Sequence, residues 1–213
     1  MDFNSLLNKL ADWGWPSNEI LEESKAQDER EKFDAGAINS TLHKVVNAFN
    51  KDKIPYYVCG GIAVHHYGYH NHTTDVDFVV YDVNRAKQTL TAKGFVPTEY
   101  YDSVQDVKSG VRVDLMQGGS VFNDDHLVTM PDPQLNNSNS INYAELPVLI
   151  SLKLDAARSK DIAAVEELIK ANSLPRDYKV DPLMKSSYET LWDSLHTKLS
   201  SAERVKIFYS LVK

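Results

Sequence analysis

The 213-residue chain has a single cysteine, Cys59, so no disulfide can close within it, and a reducing compartment is expected. Long apolar runs are also missing. Nowhere do 18 apolar residues occur together, and the first ten residues carry an acid at position 2 and no hydrophobic stretch. Neither a secretory leader nor a membrane span is expected, and the chain reads as soluble and cytoplasmic. Positive charge is scarce, with 23 lysines and arginines against 30 aspartates and glutamates, a net charge of −7. That balance does not point to broad, nonspecific binding to nucleic acid through phosphate neutralisation. No internal repeat is present.

What the chain does have is enough apolar material, 42% of residues, to bury a real core. Its charge is unevenly spread: residues 1–145 hold 12 basic against 21 acidic side chains, and residues 146–213 hold 11 against 9. An acidic front half and a mildly basic back half suit a site needing cations on one wall and anion-binding groups on the other; chance drift of surface charge gives the same numbers.

Leu6, Leu7, Leu10 and Trp13, then Leu42, Val45, Val46 and Phe49, recur at helical spacing up to about residue 50. Ile54 to Cys59 is β-prone and ends in Gly60-Gly61, which predicts a strand, a tight turn and a short helix stopped at Gly68. Asp75 to Val80 predicts a second strand. Asn84 is placed to cap a helix that stops at Gly94. Phe95 to Tyr101 and Val111 to Met116 read as two further strands, turned at Lys108-Ser109-Gly110. Residues 131–142 are rich in turn formers and predict a linker or loop. Beyond them the pattern is helical, with Pro147 near a first helical position, Ser159 or Asp161 as a cap, and further helices after Asp181-Pro182 and Ser200-Ser201. The expectation is an α+β (α/β) chain: helices over 1–50, a core over 51–145 and a helical lobe over 146–213.

Residues i and i+2 of a strand share a face, so Asp75 and Asp77 present two carboxylates side by side with Val76 turned inward. Such a pair repels itself unless protonated or bridged by a cation, and a hard ion such as Mg²⁺ takes oxygen ligands. Most such pairs are plain surface acids. Asp114 stands between strand-forming Val113 and Leu115, where an unpaired charge is costly. If its strand lies beside that of Asp75 and Asp77, three carboxylates converge at one sheet end, the minimum for metal-assisted phosphoryl transfer. The competing reading is a salt bridge from Asp114 to Arg112 on the same strand face. Glycines at positions 60 and 61 let backbone approach a ligand closely, and they also make an ordinary strand-to-helix turn.

Gly60-Gly61, a thirteen-residue spacer, Asp75-Val76-Asp77-Phe78 and the later Val113-Asp114-Leu115 together resemble the signature of the polymerase-β-type nucleotidyltransferase superfamily. The fuller string from Gly60 to Gly68 and through Thr73-Thr74-Asp75 is similar to its minimal and abortive-infection toxin-type branches, as is the stretch from Lys153 to Asp161. The resemblance covers about residues 54–170. It implies a small mixed nucleotidyltransferase sheet flanked by helices. It makes Asp75, Asp77 and Asp114 catalytic ligands of Mg²⁺ or Mn²⁺, Asp114 alternatively a base for the acceptor hydroxyl. It puts Gly60, Gly61, Thr74, Lys153 and Lys160 against a nucleoside triphosphate; an exposed basic helix face is the other reading of the two lysines. The implied reaction moves a nucleotide to an RNA or tRNA end, a protein or a small molecule. Two positions depart from the pattern, Asn71 in place of an arginine and Ala164 in place of an acid. They leave open a nucleotide-binding regulatory module without turnover, in a toxin–antitoxin or defence partnership.

His65, His66, His70 and His72 cluster, but zinc usually requires a third or fourth ligand at set spacing, so histidines lining a nucleotide cleft are expected instead. Tyr67, Tyr69, Tyr100 and Tyr101 are either base-stacking groups or core and rim.

Overall fold

The computed structural model describes residues 35–70, 72–100, 102–135, 140–197 and 201–212. The expectations at Leu6, Leu7, Leu10 and Trp13, and those at Asn71 and Tyr101, lie outside the described residues.

Helix α1 (Ala35–Lys51) lays Ile38, Leu42, Val45, Val46 and Phe49 along one stripe, and that stripe is buried. It packs on a sheet made by β1 (Tyr56–Val58), β2 (Asp75–Val80), β3 (Phe95–Pro97), β4 (Ser103–Asp106) and β5 (Arg112–Gln117). The strand order is β1-β2-β5-β4-β3. β2 and β5 are parallel and every other pair is antiparallel, so the sheet is mixed, as expected. Two short helices lie between strands, α2 (Gly60–His66) and α3 (Val83–Thr91).

Strand alternation divides the buried residues into two cores. Val76, Phe78 and Val80 of β2, with Val113 and Leu115 of β5, pack with the α1 stripe. At its centre the rings of Phe49, Tyr56 and Phe78 meet with centroids 5.4 to 5.7 Å apart. Val79 and Tyr57 face the other way, into a second core built with Ala63 and Val64 of α2 and with the helices α4 (Leu146–Ala156), α5 (Ser159–Ala171) and α6 (Lys185–His196). The helices after residue 146 therefore share a continuous core with the sheet. A last helix, α7 (Ser201–Leu211), closes the described chain. No helix among the described residues is long and apolar enough to cross a membrane.

Four local expectations are corrected. Phe95 to Tyr101 is not one strand: β3 ends at Pro97, and a turn in which Ser103 N–H donates to the Tyr100 carbonyl leads into the additional strand β4. β4 escaped notice because two of its three buried residues, Ser103 and Asp106, are polar. They are satisfied by partners far from apolar periodicity: Ser103 by the Thr98 hydroxyl, Asp106 by Lys44 at 2.7 Å and by Thr41 of α1. The cap of α3 is Asp82, whose carboxylate accepts from Arg85 N–H at 2.9 Å, and Asn84 lies inside the helix. Helix α5 begins after Arg158 with no side-chain cap, because the Asp161 carboxylate is turned instead toward Lys153. The 131–142 segment is no simple linker at its end: Val58 N–H donates to the Asn142 carbonyl and Ala144 N–H to the Val58 carbonyl, extending the free edge of β1.

Phe78 is fully buried against the Phe49 and Tyr56 rings in the core under α1. Phe78→Ala is expected to destabilise the fold by about 3–5 kcal/mol, read as a lowered urea midpoint with an unchanged slope.

Candidate active site

The parallel register places Asp75 opposite Arg112 and Asp77 opposite Asp114. Since Val76 and Val113 point into the α1 core, Asp75, Asp77, Arg112 and Asp114 all stand on the other face of the sheet. Arg112 bridges two of the acids. Its Nη2 donates to Asp75 Oδ2 at 2.6 Å, and its Nε lies 3.0 Å from Asp114 Oδ1, an ion-pair contact too bent to be a hydrogen bond. The guanidinium carbon is 5.1 Å from the centre of the exposed Tyr100 ring. Both readings of Asp114 are thus realised together, convergence with the other acids and a salt bridge to Arg112.

The glycine turn is built against these carboxylates. Cys59 N–H donates to the Asp77 carbonyl at 2.9 Å, and the chain then turns at Gly60 with φ +59°. A Cβ on Gly60 would lie 1.8 Å from Asp77 Oδ2, and one on Gly61 would lie 2.5 Å from Thr73 Oγ1. Only glycine lets the backbone come so near. The Thr73 hydroxyl in turn lies 3.3 Å from Asp75 Oδ1, to which it donates. Thr73, not singled out in the sequence, is therefore the threonine that touches the acids, whereas Thr74 is exposed beside it.

Charge crowding shows in the protonation of the site. Burial, followed by the Asp75 and Asp114 carboxylates, pushes Asp77 up to about 7, against a weaker pull from Lys153 and Arg112. Burial also raises Asp114, with Asp75 adding to it and Arg112 opposing. Burial drives the Cys59 thiol well up, so Cys59 is a small buried hydrophobe and not a thiolate nucleophile.

Lys153 is nearly buried on α4, and its Nζ donates to Asp161 Oδ1 at 2.9 Å, while Arg158 engages the other Asp161 oxygen. Burial raises Asp161, but Lys153 and Arg158 outweigh it and hold the carboxyl below its ordinary range. Lys160 does not share a face with Lys153. The backbone turns left-handed at Ala157 (φ 49°) between α4 and α5, and Lys160 is exposed. Of the candidate phosphate-binding side chains, the structure therefore brings only Lys153 into the electrostatic reach of Asp77.

Asp155 was not among the expected site residues. This fully buried carboxylate accepts from Leu127 N–H at 3.0 Å and Val128 N–H at 3.1 Å, and faces His126 Nδ1 at 3.1 Å, pinning the segment after β5 to α4. Its signal was an acid within an apolar helical run. Within the histidine cluster, His65 lies against His70, with centroids 5.4 Å apart, and His66 stacks on Tyr143 at 4.0 Å. Tyr67 hydrogen-bonds the Ala144 carbonyl and packs at the edge of the second core.

No protein-family model and no curated protein matches the chain. Solved structures that align with it include antibiotic-resistance factor ANT(2″)-Ia in complex with adenylyl-2″-tobramycin, at 12% identity over 81% of this chain and 95% of that one, TM-score 0.38. JHP933 from Helicobacter pylori aligns at 14% identity over 84% of this chain and 91% of that one, TM-score 0.43. The STING-associated CdnE c-di-GMP synthase from Capnocytophaga granulosa aligns at 14% identity over 99% of this chain and 83% of that one, TM-score 0.38. These overlaps are long but loose, and no substrate or acceptor is carried over from them.

Two outcomes follow from the geometry. The folded-state value for Asp77 is about 7 against an ordinary 3.8, so between those values the folded protein binds more protons than the unfolded chain, and stability falls as pH rises. In EDTA, wild type is expected to lose urea resistance from about pH 4 to pH 7 relative to Asp77→Asn, which keeps a neutral side chain throughout. Gly60→Ala, strained in φ and colliding with Asp77, is expected to cost more than about 1 kcal/mol, seen as a lower thermal midpoint.

Proposed function

We propose that the chain is a metal-dependent nucleotidyltransferase of the polymerase-β type, moving a nucleoside monophosphate from a nucleoside triphosphate to an acceptor hydroxyl. The observation that carries this reading is the convergence of Asp75, Asp77 and Asp114 on one face of two adjacent parallel strands, closed by the Gly60 turn.

The donor set is all carboxylate oxygen, which suits Mg²⁺ or Mn²⁺ and not a softer ion. Asp77 in particular is pushed up to about 7 by burial and by the Asp75 and Asp114 carboxylates, a shift that a divalent ion would oppose. As the side chains stand, Asp75 and Asp114 turn toward Arg112, and among the described residues no three His, Cys, Asp or Glu side chains enclose an ion. Asp75, Asp77 and Asp114 would hold the metal once they turn from Arg112. A divalent ion bound there supplies charge neutralisation for the phosphates and polarises the reacting oxygens.

The residues of the chain do the rest. The acceptor oxygen attacks the α-phosphorus; its bond to phosphorus forms as the bond to the pyrophosphate oxygen breaks, and its proton passes to a carboxylate. Asp114 suits that transfer because burial raises its proton affinity. Gly60 and Gly61 leave room for phosphate beside Asp77, with Thr74 at the rim. Lys153, oriented by Asp161, contributes positive potential at Asp77. Lys160, exposed at the start of α5, would meet only the outer part of a large substrate. An RNA or tRNA end, a protein or a small molecule all remain acceptors in this proposal. A cytoplasmic location, and an antitoxin or other defence partner, also belong to it.

One observation favours a second reading, a nucleotide-binding module without turnover: Arg112 ties up two of the three acids. The test is to incubate the protein with labelled nucleoside triphosphates, Mg²⁺ or Mn²⁺ and a lysate fractionated into RNA, protein and metabolites. Label is expected in one fraction, with pyrophosphate released, and Asp77→Ala is expected to abolish it, a loss of at least about a thousandfold. Nucleotide binding with no label and no pyrophosphate would replace the enzyme with the binding module.

A further inference from the structure

Arg112 is held in an unusual way for a structural arginine. A guanidinium fork normally grips one carboxylate with two parallel hydrogen bonds. Here it is divided between two strands, with one good hydrogen bond to Asp75 and one bent contact to Asp114. Its side chain keeps 36% of its surface exposed, and the Tyr100 ring offers a face on which the planar group can rest toward solvent. Asp77, between the two acids in charge if not in contact, has no ion pair among the described residues, and Lys153 is already engaged by Asp161.

The oxygens that Arg112 takes are therefore the ones a divalent ion would need. Mg²⁺ and Mn²⁺ bind carboxylate oxygen at about 2.1 Å, well inside hydrogen-bond distance, and two cations cannot share those lone pairs at close range without strong repulsion. We propose that Arg112 is a built-in placeholder cation: it neutralises Asp75 and Asp114 while the metal is away, and the ion enters only as the guanidinium swings out. The proposal rests on the nucleotidyltransferase reading of the site and adds to it a competition within the chain that sets how tightly metal binds before nucleotide arrives. Arg112 is in this view a positioning residue, acting through the carboxylates.

The test is a titration of the full chain with Mn²⁺ alone, followed by the loss of the free-ion electron paramagnetic resonance signal, for wild type, Arg112→Lys and Arg112→Gln. Circular dichroism checks each fold. Arg112→Gln is expected to bind Mn²⁺ at least about tenfold more tightly than wild type. Lysine keeps the charge but cannot span both strands, so Arg112→Lys is expected to fall between the two. If Arg112→Lys matches wild type and only the glutamine variant binds more tightly, the effect is one of overall charge and the proposal fails. It fails too if Arg112→Gln binds no more tightly than wild type. In both cases the metal-site reading survives, because wild type binds the ion. If none of the three folded proteins binds Mn²⁺, the metal-site reading itself falls and the placeholder falls with it. Should Arg112→Gln not fold, the comparison of Arg112→Lys with wild type decides alone.

Discussion

The parallel pairing of β2 with β5 is the constraint on which the rest depends. It aligns Asp77 with Asp114 and Asp75 with Arg112, and it sends the intervening valines into the aromatic core under α1. A slip of one residue would drive the aspartates into the contact of Phe49, Tyr56 and Phe78, where an uncompensated carboxylate is untenable. The hydrophobic face thus fixes the register, and the register fixes the charges. Neither face alone accounts for the arrangement.

Once three acids share a face, their mutual repulsion has to be offset by something. The protein uses a different device at each. Asp75 receives a guanidinium and a threonine hydroxyl, Asp114 a share of the same guanidinium, and Asp77 a raised proton affinity, about 7. The glycine turn makes this possible by leaving no side chain of its own between the backbone and Asp77. Chemistry that brings a more concentrated positive charge would find oxygen ligands already gathered, with solvent still able to reach Asp75 and Asp114.

Much of this was legible because strand alternation is a strict rule: the shared face of Asp75 and Asp77, the inward valine between them and the turn at Gly60-Gly61 follow from spacing alone. The mixed character of the sheet rested on resemblance, since no periodicity says which way two strands run. What escaped were contacts made by polar residues in apolar positions. Ser103 and Asp106 disguised β4 as a loop, Asp155 sat unremarked in a helical run, and Asp82 was overlooked as a cap in favour of Asn84. Each is buried or fixed by a partner distant in sequence, or by geometry at a helix start, and a reading that follows hydrophobicity has no access to either. Lys160 fell away for a related reason, because a seven-residue spacing means one face only where the helix continues.

The interruption at Ala157 has a geometric consequence. In an unbroken helix, Lys153 and Asp161 would be separated by eight residues and a rise of roughly 12 Å, too far for an ion pair. By accepting a left-handed conformation at a buried alanine, which costs about 1 kcal/mol or more, the chain folds α5 back so that an acid two turns downstream meets the lysine at 2.9 Å. The corner works as a bracket: the reach of a flexible lysine is shortened to a fixed point, set by an acid that the next helix supplies.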